Sequence, residues 1–239
     1  MRIDSMNIDA NSNVDTLSRE QRARVFAALG DPIRLGIMDL LHLSDRSPDS
    51  LASALGIPGN LLAHHLNVLH EVGLISRSPS RHDRRRTYVH LTSQAAQDVH
   101  FSPENFVVPR VVFVCTHNSA RSILAQSIWR QASAVPSASA GTHPADQINP
   151  GAQSAALRHG ISIQQATPQL ISEVVAPADL VVSVCDSVNE ELGDIPNTHL
   201  HWSIPDPVAT GSDQAFDHAI TDLQYRIAHL ATQVTASTR

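Results

Sequence analysis

Apolar residues recur at helical spacing through the first third of the chain. The pattern predicts helices over residues 18–28, 32–41, 48–55 and 58–73, begun by capping residues or prolines and mostly ended near a glycine. Only a tight turn at residues 56–59 separates the last two helices. Two helices joined in this way are typical of a helix-turn-helix unit.

After the fourth predicted helix, the apolar residues recur at every second position. Residues 74–77 and 87–91 alternate apolar and polar side chains, as the two strands of a hairpin do. The turn between them is rich in arginine and contains one acidic residue, Asp83. A basic hairpin directly after a helix-turn-helix is predicted to be the wing of a winged-helix domain.

Short apolar runs alternate with helical patterns in the second half of the chain, which indicates a parallel sheet covered by helices. The predicted strands are 111–114, 137–141, 180–184 and 200–202, and the predicted helices are 122–134, 150–159 and 212–234. We therefore expect two domains: a mainly α winged helix-turn-helix, followed by an α/β three-layer sandwich with a parallel four-stranded sheet.

The expected domain limits follow from these patterns. Residues 1–16 are polar with little to bury, and they are predicted to form a disordered tail. The winged helix domain is expected over 17–98, a proline-containing linker over 99–109, and the α/β domain over 110–234.

The fourth predicted helix has two different faces. Its leucines share one side, and small polar side chains able to hydrogen-bond base edges share the other. An ordinary solvated surface gives the same pattern, and the adjoining wing favours DNA binding. The predicted DNA contacts are Asn60, His64 and Asn67 on the helix, which would set sequence preference, and Arg81, Arg84, Arg85 and Arg86 on the wing, which would contact phosphates.

Three segments of this domain carry a family resemblance. Residues 28–35, 51–57 and 64–75 resemble the matching segments of ArsR-type winged helix transcriptional repressors. The resemblance implies a homodimer that binds a palindromic operator in double-stranded DNA. Metal-sensing members carry cysteines or clusters of His, Asp and Glu. Residues 1–100 contain no cysteine and their histidines lack ligand spacing, so we expect no metal site.

Cys115 opens a polar loop between the first strand and first helix of the α/β domain. The loop consists of a cysteine, five residues, Arg121 and then Ser122. Such a loop points its backbone N–H groups inward at the positive end of the helix dipole, which makes an oxyanion cradle. We expect the Cys115 thiol to ionise there and act as a nucleophile, with Arg121 as a bidentate clamp. The predicted oxyanion-binding residues are Thr116, His117, Asn118, Ser119, Ala120, Arg121 and Ser122. A buried structural cysteine is the alternative.

Asp206 is the candidate general acid for a leaving group. It lies in an Ile-Pro-Asp-Pro segment, residues 204–207, where the prolines stiffen the loop around the carboxylate. Because an Asp-Pro pair also occurs in simple turns, this assignment depends on the second family resemblance.

That resemblance covers residues 110–232 and is to the superfamily of low-molecular-weight protein tyrosine phosphatases and arsenate reductases. Its motifs are residues 112–122, 139–142, 184–186 and 201–207. The Cys-Thr-x-Asn-Ser-x-Arg-Ser form of the loop and the His-Trp pair before Asp206 resemble the arsenate reductase branch. Val208 stands where the phosphatases have an aromatic residue. The resemblance implies catalysis by Cys115, Arg121 and Asp206 without a bound cofactor.

One departure from the family affects the expected redox chemistry. Thioredoxin-coupled reductases of this superfamily use two further cysteines; Cys185 resembles the first, but Leu192 stands where the second would lie. The internal relay is incomplete, so we expect an external thiol reductant: mycothiol, glutathione or a redoxin. Cys185 is then either a second thiol or a small core residue.

Composition and charge define the expected setting. The formal net charge is −6, and the excess of acidic residues lies beyond residue 100. All 17 basic residues are arginine, which suits anion recognition but also follows from codon bias. Two cysteines give no disulfide framework, and no apolar run has the length of a membrane span. We expect a protein of the reducing cytoplasm that has no membrane partner.

The leading hypothesis is a DNA-binding transcriptional regulator fused to a thiol-dependent arsenate reductase. With the same residues, the first alternative is a phosphomonoesterase of the tyrosine phosphatase type, in which water attacks a phosphocysteine. The second alternative is a non-catalytic repressor that binds an oxyanion as its inducer. We expect the oxyanion site to lie away from the DNA-contacting helix, and to act on DNA binding only through the arrangement of the dimer.

Overall fold

The computed structural model of the chain describes residues 18–92, 104–163, 167–193 and 195–237. The predicted tail at 1–16 and the first half of the predicted linker lie outside these residues. The described chain consists of a helical domain with a small hairpin, followed by an α/β domain with a parallel four-stranded sheet, and this confirms the expected fold class. Among the described residues, no helix has the length and apolarity needed to cross a membrane.

The amino-terminal domain is a winged helix-turn-helix. Its elements are α1 (Arg19–Leu29), α2 (Pro32–Leu41), α3 (Pro48–Leu55), α4 (Gly59–Glu71), β1 (Ile75–Pro79) and β2 (Thr87–Leu91). Ser18 and Gln21 form a capping box at the start of α1, and Gly56 ends α3 with a positive φ of 63°. The helices and the hairpin share one apolar core, which includes Ile37, Met38, Leu51, Leu62, Leu69 and Val89.

The α/β domain is built around a fully buried strand. Its elements are β3 (Phe106–Val108), β4 (Val111–Cys115), α5 (Arg121–Ala132), β5 (Ser137–Gly141), α6 (Pro150–Arg158), α7 (Ile171–Val174), β6 (Leu180–Ser183), α8 (Asp186–Leu192), β7 (His199–His201), α9 (Pro207–Thr210), α10 (Asp213–Ala231) and β8 (Val234–Ala236). The main sheet has the order β5-β4-β6-β7, with all pairs parallel. Helix α5 packs against β4, β5 and α10, and α8 packs against β4 and β6.

Several short elements differ from the sequence prediction. The helix predicted over 212–234 ends at Ala231, and Val234–Ala236 forms β8 instead. Strand β8 pairs in parallel with β3, which lies inside the segment predicted as a linker. Helices α7, α8 and α9 were not predicted either. Elements of three to seven residues are too short to show a clear period in the sequence.

The two domains pack against each other through a segment that follows α2. Residues 43–45 pack against β7 and the residues after it. Leu43 belongs to the core of the α/β domain, and its carbonyl oxygen accepts a 2.8 Å hydrogen bond from Trp202 Nε1. The backbone N–H of Asp45 donates to the carbonyl oxygen of His201 at 2.7 Å. A segment of the amino-terminal half therefore forms part of the core of the α/β domain.

Asp45 is the charged centre of this contact. Its carboxylate accepts a 3.0 Å hydrogen bond from Arg226 Nη1 and lies 3.1 Å from His90 Nδ1. It also accepts a 2.8 Å bond from the N–H of Ser203. Burial alone would raise the pKa of Asp45, but Arg226 and His90 outweigh burial and hold that pKa well below its usual range. We call residues 43–45, 201–203 and Arg226 the joint.

Candidate active site and nucleic-acid interface

Cys115 is the last residue of β4, and the loop after it leads directly into α5. Every residue of β4 is buried, so the strand holds the nucleophile candidate at a fixed point. The Cys115 sulfur lies 3.0 Å from Ser122 Oγ, and Ser122 is fully buried in the first turn of α5. The structure thus brings the thiol, a hydroxyl and a helix amino terminus together, as the loop pattern predicts.

The carbonyl groups of the loop are bonded on its outer side. The oxygens of Thr116, His117 and Ser119 accept hydrogen bonds of 2.8–3.0 Å from the backbone N–H groups of residues 143, 145 and 149. Within the described ranges, the N–H groups of residues 117–120 donate to no other protein group. Since backbone donors seek an acceptor, these N–H groups are available to an oxyanion.

Asn118 fixes the shape of the loop. It is fully buried and has a φ of 47°, a conformation that Asn adopts more readily than most residues. Its side-chain amide donates to Ser122 Oγ at 2.9 Å, and its Oδ1 accepts from the N–H of Gln169 at 2.8 Å. The side chain predicted to bind the oxyanion therefore supports the loop from within the protein.

Gly141, at the end of β5, allows a close approach to this loop. A Cβ atom at this position would lie 2.7 Å from the carbonyl oxygen of Thr116 and 2.9 Å from the backbone nitrogen of Asn118. Both are backbone atoms, which cannot move aside as the end of a flexible side chain can. The sequence motif at residues 139–142 contains this glycine, but gave it no role.

Arg121 and Asp206 meet at the mouth of the loop. Arg121 Nη2 lies 3.3 Å from Asp206 Oδ2, and Nη1 donates a 3.0 Å bond to the carbonyl oxygen of Ile204. Asp206 also caps α9 by accepting from the N–H of Val208 at 3.1 Å. The Asp206 side chain is 41 % exposed, so its carboxyl group can exchange a proton with solvent. Residues 85 positions apart in sequence are thereby placed as one unit.

Cys185 follows β6 and lies on the other side of the loop. Its sulfur is 3.7 Å from Thr116 Oγ1, and both cysteines are free thiols. Burial raises the pKa of the Cys185 thiol, although the Arg121 guanidinium acts in the opposite direction. Cys185 is therefore less readily ionised than an exposed cysteine.

A cavity beside Arg121, at the end of this loop, is partly formed by the wing. Its volume is about 600 Å³, and the α/β domain contributes Arg121, Cys185 and Asp206 to its lining. The tip of the hairpin contributes the arginines Arg81 and Arg84. Among the described residues, the lining includes the wing but none of the DNA-contacting helix α4, and the sequence did not predict that the wing would lie at this cavity.

The wing is anchored there by hydrogen bonds from its tip. The backbone N–H of Arg81 donates to Asp186 Oδ2 at 2.9 Å, and Ser80 Oγ donates to Glu190 Oε1 at 2.6 Å. Asp186 is also 3.1 Å from His201 Nε2. Burial alone would raise the pKa of Asp186, but the bonds from His201 and Arg81 hold it below its usual value. Asp186 lies directly after Cys185 in a recognised motif, yet the sequence did not reveal this contact.

The predicted DNA-contacting helix presents the expected faces. Leu62, Leu66 and Leu69 are buried, and residues 60, 63, 64 and 67 are exposed. Asn67 accepts a 2.9 Å hydrogen bond from Arg77 Nη2, which connects α4 to the base of the wing.

The remaining wing arginines face a second cleft between the domains. Arg85 and Arg86 line this cleft, whose volume is about 840 Å³, together with Asp45 and His199. Arg85 also forms a 3.0 Å ion pair with Asp83 and has a side chain that is 90 % exposed. The four predicted phosphate contacts are thus divided between two interdomain clefts.

Comparison with known proteins gives two family matches. Residues 110–239 match the family described as low molecular weight phosphotyrosine protein phosphatase, and residues 29–77 match a helix-turn-helix domain. No curated protein matches the chain.

Several solved structures are similar to about half of the chain. An arsenate reductase from Archaeoglobus fulgidus is 22% identical, with 51% of this chain and 98% of that chain covered and a TM-score of 0.45. The tyrosine phosphatase Wzb from Escherichia coli K30 is 22% identical, with 53% and 98% covered and a TM-score of 0.48. A thioredoxin-dependent arsenate reductase from Corynebacterium glutamicum is 25% identical, with 53% and 60% covered and a TM-score of 0.40.

The family match at residues 110–239 spans more than half of the chain and contains the loop from Cys115 to Ser122 and Asp206. The helix-turn-helix match contains α2, α3, α4 and the start of the wing. The chain therefore belongs to the low molecular weight phosphotyrosine protein phosphatase family and carries a helix-turn-helix domain on the amino-terminal side of its phosphatase-like domain.

Proposed function

We propose that the chain is a thiol-dependent arsenate reductase joined to an ArsR-type DNA-binding regulator. The observation that carries the enzymatic part is the arrangement at the loop: Cys115 lies 3.0 Å from Ser122 Oγ, the N–H groups of residues 117–120 have no acceptor in the described chain, and Arg121 and Asp206 meet 3.3 Å apart. This arrangement provides a nucleophile, an oxyanion cradle and an acid, which transfer at a tetrahedral oxyanion requires.

The first step is attack of the Cys115 thiolate on the arsenic atom of arsenate. An S–As bond forms and an As–O bond breaks, and the departing oxygen takes a proton from Asp206 and leaves as water. Arg121 and the N–H groups of residues 117–120 hold the remaining oxygens. Ser122 Oγ donates to the sulfur and stabilises the thiolate before attack.

The second step consumes two external thiols. The first thiolate attacks the Cys115 sulfur, the S–As bond breaks, and its electron pair remains on arsenic, which leaves as arsenite. The second thiol reduces the resulting mixed disulfide and returns Cys115 to the thiol, so two thiols become one disulfide for each arsenate reduced. Because burial raises the pKa of Cys185, we assign this role to an external mycothiol, glutathione or redoxin.

Val208 supports arsenate as the substrate. It lies next to Asp206 at the start of α9, and it is 42 % exposed. An aromatic side chain here would present a ring against which a phosphotyrosine could stack. Valine leaves that side of the mouth without a ring, which suits a small inorganic oxyanion.

The regulatory part of the proposal uses the helix-turn-helix. The proposed DNA-binding domain covers residues 17–98, with Asn60, His64 and Asn67 in the major groove and the wing arginines on phosphates. The proposed assembly is a homodimer on a palindromic operator in the reducing cytoplasm. Oxyanion chemistry and control of transcription would then lie in one chain.

A phosphomonoesterase is the second candidate, because the family match is to phosphotyrosine phosphatases. One preparation should be assayed with arsenate plus each thiol and, separately, with p-nitrophenyl phosphate. Thiol-dependent release of arsenite supports the reductase, and phosphate release without arsenite supports the phosphatase.

Two matched variants test the nucleophile. Cys115→Ser should lower either activity by about a thousandfold or more, because serine at this site is a far weaker nucleophile. Cys185→Ser should retain most of the activity when an external thiol is supplied. Undiminished turnover in Cys115→Ser contradicts the mechanism, and absence of both activities in a protein whose DNA binding responds to oxyanion indicates a non-catalytic repressor.

A further inference from the structure

Two arginines of the wing contribute to the wall of the cavity that contains Arg121 and Asp206, which we call the catalytic cavity. Arg81 and Arg84 line it from one side, and Arg121 and Asp206 line it from the other. The wing is held in this position by the Arg81 N–H bond to Asp186, which leaves the Arg81 guanidinium group uncommitted. The cavity is therefore shared between a DNA-binding element and a catalytic loop.

The charges around this cavity are unequally satisfied. Arg121 is paired with Asp206, and the Asp186 carboxylate is occupied by His201 and the wing backbone. Within the described part of the chain, the guanidinium groups of Arg81 and Arg84 make no hydrogen bond or ion pair. Two positive charges thus face the cavity without a counterion, and an anion bound there would supply one.

We propose that Arg81 and Arg84 form an outer anion subsite of the catalytic cavity, so that a tetrahedral oxyanion in the cavity and the phosphates of DNA compete for the wing. The inference rests on the proposed DNA-binding role of the wing. It extends that role, because the same two guanidinium groups would bind either the oxyanion or the DNA phosphates.

Competition follows from where the two arginines lie. A cavity of about 600 Å³ admits a small oxyanion but excludes a duplex. The α/β domain, against which the wing is docked, also carries the excess of acidic residues, and their negative charge repels a DNA backbone. Contact between these arginines and DNA phosphates therefore requires the wing tip to leave Asp186 and Glu190.

An oxyanion held between the wing and the loop opposes that movement. Its charge pairs with Arg81 and Arg84 only while the wing is docked, so it stabilises the docked form. Binding free energies are reciprocal, and DNA must weaken oxyanion binding by the same factor. The wing would then release the DNA as oxyanion accumulates.

The subsite is tested first by titrating orthophosphate into the full-length protein, with isothermal titration calorimetry as the readout. Arg81→Gln and Arg84→Gln should each raise the dissociation constant about threefold to tenfold, the range for a partly exposed charge-assisted contact. Arg81→Gln keeps the backbone anchor to Asp186. Arg130→Gln is the control, because Arg130 is an exposed arginine of α5 that lines neither interdomain cleft, and it should leave the constant unchanged.

The competition is tested by fluorescence anisotropy with a labelled duplex of the chain's own promoter. Saturating orthophosphate should raise the dissociation constant for DNA about threefold to tenfold relative to chloride at equal ionic strength, which removes the general effect of salt. The Arg81→Gln/Arg84→Gln double variant should bind DNA more weakly and lose this response to orthophosphate.

The outcomes separate the inference from the proposed function. Unchanged orthophosphate affinity in both single variants overturns the subsite, whatever the protein does with DNA. Equal DNA affinity in orthophosphate and in chloride overturns the competition. If the wild-type protein binds no duplex, the proposed regulatory function fails and the competition falls with it, whereas the subsite is still decided by the titration.

Discussion

The oxyanion loop and the joint are both held by hydrogen bonds, but the residues that form the loop are close together in the sequence and those that form the joint are far apart. The loop lies within eight consecutive positions, from Cys115 to Ser122, and Cys115 contacts a hydroxyl seven residues away. The joint brings Asp45 to Arg226, which are 181 residues apart. The loop carries the proposed catalytic groups, whereas the joint holds the two domains in one arrangement.

This difference implies that the two regions fail in different ways. A change in the loop should alter turnover while the protein stays folded, because the loop is supported by a rigid strand and helix. A change in the joint should alter stability while turnover of the folded protein persists. Three substitutions test this division, and a fourth tests His199, which lies in β7 beside the joint; they follow in order of the size of the expected effect.

Gly141→Ala is expected to give the largest effect, and to give it on turnover. The new Cβ would be 2.7 Å from the carbonyl oxygen of Thr116, so the loop must shift, and a small displacement of catalytic groups costs about a hundredfold in kcat/KM. Gly59→Ala is the control, since a Cβ at Gly59 meets no atom within 4 Å. Activity within threefold of wild type in Gly141→Ala would show that the loop tolerates displacement.

Asp45→Asn is expected to give the largest effect on stability. It removes the charge that pairs with Arg226 and His90 inside the joint, at a cost of about 3 kcal/mol in the free energy of unfolding. Asp213→Asn removes the partner of an exposed ion pair with Arg158 and should cost less than about 1 kcal/mol. Urea denaturation measures both. Equal losses in the two variants would show that the joint contributes no more than a surface contact.

His199→Gln is expected to change how stability depends on pH. Burial, followed by the nearby charge of His201, lowers the pKa of His199 to about 4. The folded protein therefore keeps His199 neutral at a pH where the unfolded chain, with a pKa near 6.5, binds a proton. Stability should fall as pH falls from about 6.5 to about 4, by about 1.4 kcal/mol per pH unit from this residue.

The His199→Gln variant should lose that part of the slope. Urea denaturation between pH 7 and pH 4 gives the slope for each protein. Identical slopes in wild type and variant would mean that His199 does not titrate as its buried position implies.

Trp202→Phe is expected to give the smallest effect. It removes the 2.8 Å bond from Nε1 to the carbonyl oxygen of Leu43 and costs about 1–2 kcal/mol. Trp129→Phe removes an equivalent 2.8 Å bond to Val135 inside the α/β domain. Both should lower the melting temperature, but only Trp202→Phe should separate the unfolding transitions of the two domains in calorimetry. A single unfolding transition in both variants would contradict the idea that the joint couples the unfolding of the two domains.

The sequence was sufficient to predict elements whose signals are local. The periodicity of Leu62, Leu66 and Leu69 identified the buried side of α4, and the continuous apolar run before Cys115 identified the central strand. The chemistry expected at Cys115 and Arg121 came from their spacing within one loop. In each case the residues that define the feature lie within one or two turns or one strand of each other.

Contacts between distant segments could not be predicted in the same way. Nothing in the sequence around Leu43 or Asp45 shows that they pack against Trp202 and Ser203. The hydrogen bond from Arg81 to Asp186 joins residues 105 positions apart, and neither residue is unusual in its own segment. The division of the wing arginines between two clefts was missed because it depends on how the two domains dock.

The pairing of β3 with β8 has a consequence for how the chain folds during synthesis. Phe106 and Thr235 are 129 residues apart. Strand β3 therefore cannot pair with β8 until almost the whole α/β domain has left the ribosome. The core of the helix-turn-helix is formed by residues near one another in the sequence, so this domain can fold before the residues of the α/β domain that it later contacts. Until residues 199–226 arrive, Leu43 and Asp45 remain in water, and the wing has no cavity to enter. A nascent or truncated chain would therefore present its wing without the hydrogen bonds that hold it against the α/β domain.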